Sequence, residues 1–291
     1  MITQHTFSEA IREAIYGALA ADESVICFGL GVPDPKGIFG TTTGLQETFG
    51  SQRVFDIPTS ENALTGVAIG VALGGYKPLM IHQRLDFALL AMDQIINGAA
   101  KWHYMFGGQF KVPVTFRLII GKGWGQGPTH SQSLQALFAH IPGLIVLMPS
   151  MPSDAKNYLY SAILNPNPVV FLEHRWLHSV AEENVEPPKL VDISRSRLLR
   201  AGSDVTIISA SFLSIEAMQA AEHLSEFGFE IEIIDLISIK PLDWDTIYQS
   251  VDKTGAVLVL DTGYLTGSVS AEIITCIVTE RFGSLKKIPA R

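Results

Sequence analysis

The sequence predicts an α/β protein of two domains, each a mostly parallel, doubly wound sheet with helices on both faces. Three observations support this prediction. Short apolar runs alternate with stretches of helical spacing, as crossover connections between parallel strands require. The alternation lapses over residues 179–192, where glutamates and prolines cluster, and then resumes. A chain of 291 residues, 47% of them hydrophobic, is also long enough to bury two cores.

These patterns place the first domain at residues 1–180, a polar linker at 181–202 and a second, smaller domain at 203–291. Apolar side chains at helical spacing predict the first helix over 7–21. The first domain continues with strands at 25–30, 54–57, 78–82, 111–120, 144–149 and 168–173, and with helices from about 61 and at 88–104, 134–140 and 153–164. The second domain is expected to contain strands at 204–210, 230–235 and 256–261, and helices at 214–227, 242–251 and 269–282.

The helix predicted to begin near Glu61 is unusual in its glycines. Gly66, Gly70 and Gly74 recur every fourth residue and share one face, although each glycine inside a helix costs about 1 kcal/mol relative to alanine. Such a face is useful where another backbone or a flat ligand comes very close. Glu61 is a lone carboxylate at the start of this nearly apolar helix, a position that the helix dipole alone also favours. The Thr-Ser pair that precedes Glu61 can cap the helix.

Composition excludes several classes of partner. With a formal net charge of -8 and no cluster of Lys and Arg, the chain lacks the surface that nucleic acids or anionic membranes require. No apolar run reaches the roughly 18 to 20 residues of a membrane span, and the N-terminus lacks the pattern of a signal peptide. Cys27 and Cys276 lie far apart in apolar runs, as expected of buried thiols in a reducing compartment. We therefore expect a soluble, cytoplasmic protein.

Four segments are expected to meet at one edge of the first sheet, because each follows a strand and the carboxyl ends of parallel strands share an edge. They are the loop of residues 31–44, here called the Gly31 loop, then Glu61, the turn at 84–87, and the Gly-rich loop 121–133 that contains His130. Taken singly, each is ordinary, since a histidine after a glycine loop is more often a surface residue and Phe87 is more often part of a core. The Gly31 loop also lacks the spacing of a phosphate-binding loop.

Several motifs occur in a recognisable order: Phe55-Asp-Ile-Pro-Thr-Ser-Glu-Asn62, Asp93-Gln-Ile-Ile-Asn-Gly-Ala-Ala-Lys101, Gly107-Gly-Gln109, Val112-Pro-Val114, His130-Ser-Gln-Ser133, Pro142-Gly-Leu144 and Asp154-Ala-Lys156. Together they closely resemble the beta subunit of thiamine-diphosphate-dependent 2-oxoacid dehydrogenases. These are the decarboxylating components of the pyruvate, branched-chain and acetoin complexes, and they are related to the second half of transketolase. The resemblance covers essentially the whole chain. It implies a pyrimidine-binding domain followed by a transketolase C-terminal-like domain. Because relatives continue some tens of residues further, either this second domain is shortened or its terminus is absent from this chain.

The resemblance implies roles for individual residues. Glu61 matches the glutamate that moves a proton onto the ring nitrogen of the cofactor's aminopyrimidine, and His130 matches a histidine beside the reacting carbonyl, so both are predicted catalytic residues. Phe87 matches an aromatic residue that stacks on the aminopyrimidine. Arg84 stands where relatives commonly carry an aromatic residue. The predicted cofactor-binding set is therefore Glu61, Phe87 and Arg84, in which Arg84 could engage a substrate carboxylate or phosphate, or else face solvent.

The resemblance also implies partners and metals. Relatives bind the cofactor's diphosphate through Mg2+ on a Gly-Asp-Gly motif, and this sequence contains no such motif. We therefore expect thiamine diphosphate to be shared with an alpha subunit that holds Mg2+, in a heterotetramer of two alpha and two beta chains. Its beta–beta contact is expected to use apolar surfaces such as the glycine-faced helix. A further implication is a K+ site formed by the backbone carbonyls of Ala162, Asn165 and Asn167.

The expected function is that of an oxidoreductase subunit which decarboxylates a 2-oxoacid and transfers the acyl unit to a lipoyl or related carrier. Two alternatives remain at this stage. A split-transketolase half would move a two-carbon ketol unit, although such chains usually carry Gly-Ile-Ala-Glu-Gln where this one has Pro-Thr-Ser-Glu-Asn. A noncatalytic paralogue would only bind or stabilise a partner. The sequence identifies neither the 2-oxoacid nor the acyl acceptor.

Overall fold

The computed structural model describes residues 4–183 and 185–291, so residues 1–3 and 184 of the predicted first domain and linker lie outside the described part. The strands are β1 Gln4–Thr6, β2 Val25–Gly29, β3 Val54–Phe55, β4 Lys77–His82, β5 Thr115–Ile120, β6 Ile145–Leu147, β7 Val169–His174, β8 Ala181–Glu183, β9 Arg197–Arg200, β10 Val205–Ser209, β11 Ile231–Asp235, β12 Ser238–Lys240 and β13 Val257–Val259. The α-helices are α1 Phe7–Ala21, α2 Gly37–Gly40, α3 Leu45–Phe49, α4 Glu61–Leu73, α5 Leu85–Ala88, α6 Ala100–Met105, α7 Gln135–Ala139, α8 Pro152–Leu164, α9 Phe212–Ser225, α10 Trp244–Thr254 and α11 Val269–Glu280. Short 3-10 helices cover Leu89–Ala91, Arg175–Ser179 and Phe282–Ser284, and a π-helix covers Gln94–Ala99.

The largest sheet has seven strands in the order β12-β6-β7-β5-β4-β2-β3, and within it only β12 runs antiparallel to its neighbour. Successive strand residues point to opposite faces, so the sheet separates two cores. On one face, Phe7 of α1 and Ile81 of β4 belong to the same buried cluster. On the other face, Ile69 of α4 clusters with Met80. The predicted doubly wound, mostly parallel sheet is therefore confirmed for the first domain.

The single helix predicted over residues 88–104 is wrong, because the structure has a succession of segments there. α5 leads into a 3-10 turn, then into the π-helix Gln94–Ala99, and finally into α6. The π-helix lies against α4 so closely that a Cβ atom at Gly98 would be 3.0 Å from the side chain of Ile69, and one at Gly66 would be 3.1 Å from Gln94. Gly66 thus serves a close approach within the chain, whereas a Cβ atom at Gly70 would meet nothing within 4 Å.

The second sheet has four strands in the order β13-β10-β11-β9, with β9 antiparallel to β11 and the others parallel. This confirms the predicted α/β class of the second domain. The segment predicted as a linker is more ordered than expected, since β8 pairs with β1 and β9 forms an edge of the second sheet. In the described part of the chain, no helix is both long enough and apolar enough to cross a bilayer.

Two features join the domains: β12 pairs in the sheet of the first domain, and a buried carboxyl group bonds to both domains. β12 belongs to the second half of the sequence but pairs with β6 of the first sheet, and the amide of Met148 donates to the carbonyl of Ile237 over 2.6 Å. Just before β12, the fully buried carboxyl group of Asp235 accepts hydrogen bonds from the hydroxyls of Ser150 over 2.5 Å and Ser214 over 2.9 Å. The contact between the domains around Asp235 is therefore both hydrogen-bonded and buried.

Asp235→Asn is expected to flatten the dependence of stability on pH. Burial raises the pKa of Asp235 to about 7 from an ordinary value of 3.8. Between these two pH values the folded chain therefore retains a proton that the unfolded chain releases. The free energy of unfolding should fall as the pH rises through this range and stay low above it. Asparagine cannot ionise and removes that fall. Thermal melts from about pH 4 to about pH 8 test this.

The control for this experiment is Asp245→Asn, which removes an exposed carboxylate from the first turn of α10. Its pH profile should follow that of the unmodified chain. If the Asp235 variant also follows that profile, the buried carboxyl group is not the source of the pH dependence.

A second buried charge cluster lies inside the first domain. The guanidinium of Arg117 on β5 donates to both carboxylate oxygens of Glu173 on β7, over 2.9 Å and 2.5 Å. The ring of His178 lies 2.9 Å from the same carboxylate, and all three side chains are buried. Burial by itself would raise the pKa of Glu173, but Arg117 and His178 outweigh it and lower this pKa to about 2. Glu173 is therefore held as a carboxylate.

Candidate active site

The four segments predicted to converge do follow adjacent strands. The order β5-β4-β2-β3 brings together the carboxyl ends that precede the Gly-rich loop 121–133, the turn at 84–87, the Gly31 loop and Glu61. A pocket opens at this edge of the sheet, where ligands of α/β proteins usually bind. It is lined by Leu30, Ile57, Pro58, Thr59, Ser60, Glu61, Met80, Ile81, His82, Gln83 and Phe87.

Glu61 is the first residue of α4 and lines this pocket. The turn before the helix is held by the carboxylate of Asp56, which accepts from the amides of Gly31 over 2.9 Å and Ile57 over 2.8 Å. Ser60 occupies the N-cap position, but its side chain makes no capping bond, so the expected cap is absent. Within the described residues, the half-buried carboxylate of Glu61 has no hydrogen-bond or ion-pair partner, which leaves it available to a ligand.

Phe87 and His130 come into contact, although 43 positions separate them in the sequence. The ring centroids lie 5.3 Å apart at an angle of 89°, so the imidazole and the phenyl ring meet edge to face. Phe87 lines the pocket, and His130 is exposed, with Nδ1 3.0 Å from the hydroxyl of Thr129. The structure therefore places Glu61 and Phe87 in one pocket and His130 against Phe87, although His130 is not itself among the residues that line the pocket.

Arg84 lies elsewhere. Its guanidinium packs over Trp124, with Cζ 4.4 Å from the ring centroid, and over Phe39 at 5.0 Å. It also donates to the side-chain oxygen of Gln126, and it is not among the residues that line the pocket. Burial lowers the pKa of Arg84, and the neighbouring Arg175 lowers it further. A cofactor-binding role for Arg84 stays a prediction.

His82 is a pocket residue that the sequence analysis missed. It ends β4, is only 4% exposed, and places Nε2 3.4 Å from the hydroxyl of Thr65, one turn after Glu61 on α4. The ring also lines the pocket. Burial lowers the pKa of His82 to about 4, so the imidazole is neutral near pH 7. A polar residue in an otherwise apolar strand was the available signal.

The predicted K+ site involves the end of α8. The carbonyl of Ala162 already accepts from the hydroxyl of Thr115 over 3.0 Å and from the amide of Asn165 over 3.1 Å. The side-chain oxygen of Asn165 accepts from the amide of Asn167 over 2.9 Å, which forms a tight turn. Both lone pairs of the Ala162 oxygen are therefore engaged, and this residue fits a K+ ligand poorly. The site stays a prediction that depends on Asn165 and Asn167.

Comparison with known proteins identifies the two domains. The family model "Transketolase, pyrimidine binding domain" matches residues 3–179, and "Transketolase, C-terminal domain" matches residues 194–291. Among solved structures, a split gene transketolase described as an inactive beta4 tetramer superimposes with a TM-score of 0.80, covering 98% of this chain and 87% of that one. Its sequence identity is 22%, so this likeness shows the fold alone.

Similar curated proteins are named "Pyruvate dehydrogenase E1 component subunit beta". The protein of Rhizobium meliloti is 40% identical over 96% of this chain, which spans 61% of that longer protein. The protein of Chaetosphaeridium globosum is 38% identical over 95% of this chain and 85% of its own length. A mitochondrial subunit of Arabidopsis thaliana is 39% identical over 96% of this chain and 78% of its own length. This chain therefore belongs to the transketolase-like family of pyruvate dehydrogenase E1 component beta subunits.

Proposed function

We propose that this chain is the beta subunit of a thiamine-diphosphate-dependent 2-oxoacid dehydrogenase. With an alpha subunit, it decarboxylates a 2-oxoacid and passes the acyl unit to a lipoyl or related carrier. The observation that carries the proposal is the carboxylate of Glu61, which has no partner in the described chain and lies in a pocket beside Phe87, itself in contact with His130. Homology to pyruvate dehydrogenase E1 beta subunits supports the class of substrate.

The pocket fits the aminopyrimidine ring of thiamine diphosphate. Leu30, Ile57 and Phe87 supply apolar walls for a flat ring, the carboxylate of Glu61 is free within the described residues, and the ring of His82 adds a polar group to the lining. When bound, the cofactor would supply a thiazolium carbon acidic enough to lose its proton and become a nucleophile for a carbonyl group. Glu61 is suited to hold the pyrimidine ring nitrogen, and Phe87 is suited to stack on the ring.

The proton chemistry in this scheme belongs to two residues. Glu61 would hold a proton at a carboxylate oxygen and exchange it with the pyrimidine ring nitrogen of a bound cofactor, and exclusion of water from the cleft by a partner subunit would strengthen this hydrogen bond. His130 projects from the opposite loop towards the edge of Phe87. Its imidazole can donate a hydrogen bond to negative charge developing on a substrate oxygen, or move a proton there.

The remaining parts of the proposal concern partners and metals. Mg2+ and the diphosphate are assigned to the alpha subunit, because the sequence has no Gly-Asp-Gly motif and residues 4–183 and 185–291 contain no group of three or more His, Cys, Asp or Glu side chains placed to hold a metal. The proposed assembly has two alpha and two beta chains, with a beta–beta contact on the exposed side of α4, where Ala63, Val67 and Gly70 face outwards. The free thiols Cys27 and Cys276 support a cytoplasmic location.

Co-expression with an alpha subunit that carries a Gly-Asp-Gly motif tests the proposal. We expect a heterotetramer by size-exclusion chromatography with mass measurement, Mg2+-dependent binding of thiamine diphosphate by calorimetry, and decarboxylation of a 2-oxoacid by the complex only. The chain alone serves as the control. Full turnover by the chain alone, or a complex that binds no thiamine diphosphate, would contradict the proposal. Transfer of a ketol unit without decarboxylation would favour the split-transketolase alternative.

A further inference from the structure

The loop that carries His130 is rich in glycine. It connects β5 to α7 over residues 121–134 and contains Gly123, Gly125 and Gly127, whose φ angles of +87°, +85° and +87° lie in the region that favours glycine. Each glycine widens the range of backbone conformations open to the loop. A histidine that must face a reacting carbonyl therefore needs the loop to be held from outside.

Arg84 anchors the loop from outside. Its Nε and Nη2 atoms donate to the side-chain oxygen of Gln126 over 3.1 Å and 2.7 Å, and its plane covers Trp124 with Cζ 4.4 Å from the ring centroid. At its other side, Nη1 donates to the carbonyl of Gln83 over 2.6 Å, and the side chain is only 8% exposed. The guanidinium thus fastens the middle of the loop to the end of β4.

The other hydrogen bonds of the loop lie at its ends or within it. The carbonyl of Lys122 lies 3.1 Å from the ring of His174 near the start of the loop, and Gln132 donates to the carboxylate of Asp86 over 2.8 Å near its end. Within the loop, the amide of Gln126 donates to the hydroxyl of Ser131 over 3.2 Å. In the part of the chain that the structure describes, Arg84 is the side chain from outside the loop that bonds to residues 123–128. Removing it leaves the centre of the loop without an external hydrogen bond.

We infer that Arg84 is a positioning residue, which holds the His130 loop in its reactive geometry through Gln126 and Trp124 and does not itself bind the substrate. The expected effect on catalysis rests on the proposed function, whereas the contact of Arg84 with Gln126 and Trp124 is observed. Because a displacement of about 1 Å in a reacting group can reduce turnover about a hundredfold, loss of this contact should affect kcat more than KM.

The chain contains a matched control in Arg175. Its Cζ lies 4.6 Å from the centroid of Phe39 and 5.3 Å from that of Trp124, so it packs against the same two rings as Arg84. It makes no side-chain hydrogen bond to any described residue. Arg175→Met removes a positive charge and a ring contact, as Arg84→Met does, but it leaves the bond to Gln126 intact.

The test compares Arg84→Met, Arg175→Met and Gln126→Ala by hydrogen exchange of the purified chain and by kinetics of the heterotetramer. We expect exchange over residues 121–131 to become at least about tenfold faster in the Arg84 and Gln126 variants and to change little in Arg175→Met. We also expect kcat to fall by about 10- to 100-fold in the first two, with KM within about threefold of the original value. The Arg84 and Gln126 double variant should be no worse than either single variant.

Three outcomes would overturn the inference: equal exchange in the two arginine variants, additive losses in the double variant, or a rise in KM at unchanged kcat. The last result would instead indicate that Arg84 binds the substrate carboxylate directly. Arg84→Lys guards against misfolding, since lysine keeps the charge but cannot form the paired contact, and it should give an intermediate loss. Hydrogen exchange does not require turnover. It therefore tests the loop contact even if the proposed catalytic function is wrong.

Discussion

Glu61→Gln is expected to reduce decarboxylation by the assembled complex by on the order of 10²- to 10⁴-fold, with most of the loss in kcat. Glutamine has the same size as glutamate, so the pocket at the start of α4 keeps its shape. An amide can still hydrogen-bond the ring nitrogen of the cofactor, but it cannot hold or return a proton there. Steady-state kinetics of the wild-type and variant heterotetramers measure the effect, and calorimetry shows whether thiamine diphosphate still binds.

The matched control is Glu47→Gln. Glu47 is an exposed glutamate in the first turn of α3, so this change removes the same charge from a helix N-terminus away from the pocket. It should leave kcat within about twofold of the original value. Turnover by the Glu61 variant at the level of this control would refute a proton-transfer role for Glu61, and the favourable dipole of α4 would then suffice to explain the residue.

Glu173→Gln is expected to destabilise the fold by about 3–5 kcal/mol, the usual effect of removing one partner from a buried ion pair. The variant would leave the guanidinium of Arg117 completely buried without a counter-charge. It would also bring the amide hydrogens of glutamine towards the donors of Arg117 and His178. Urea unfolding of the purified chain, monitored by circular dichroism, gives the difference in the free energy of unfolding.

The pH dependence of the same cluster has a definite sign. The pKa of Glu173 is lowered to about 2 from an ordinary value of 4.5, so its contribution to stability is complete above the higher value and disappears as the pH falls through the lower one. The variant should therefore differ most from the original chain near neutral pH and least in strong acid. Glu222→Gln, at an exposed position on α9, is the charge-matched control. Equal stability of the two variants would show that the buried pair contributes little.

Local patterns were enough to predict much of the fold. Apolar side chains at helical spacing predict the helix at residues 7–21 with its bounds, and the structure adds a reciprocal capping box of Thr6 and Glu9 at its start. The position of the candidate site followed from the rule that parallel strands share a carboxyl edge, and Glu61, Phe87 and His130 do gather there.

Features that depend on distant partners could not be predicted in this way. The π-helix after residue 93 reflects its packing against α4, which the helical spacing of its own residues does not reveal. The direction of the Arg84 side chain depends on Gln126, 42 positions away. A single polar residue at the end of an apolar strand marks His82 as unusual, but it does not show which pocket the side chain will face, so its place beside Glu61 was not predicted.

Because β12 pairs with β6 in the sheet of the first domain, neither family domain contains all the strands of that sheet. Residues 238–240 belong to the C-terminal domain by sequence, yet they cover β6, which would otherwise be the exposed edge of the largest sheet. A fragment that ends at the domain boundary would therefore present an unpaired strand and invite aggregation. The two halves of the chain are expected to gain and lose their structure together, as one cooperative body.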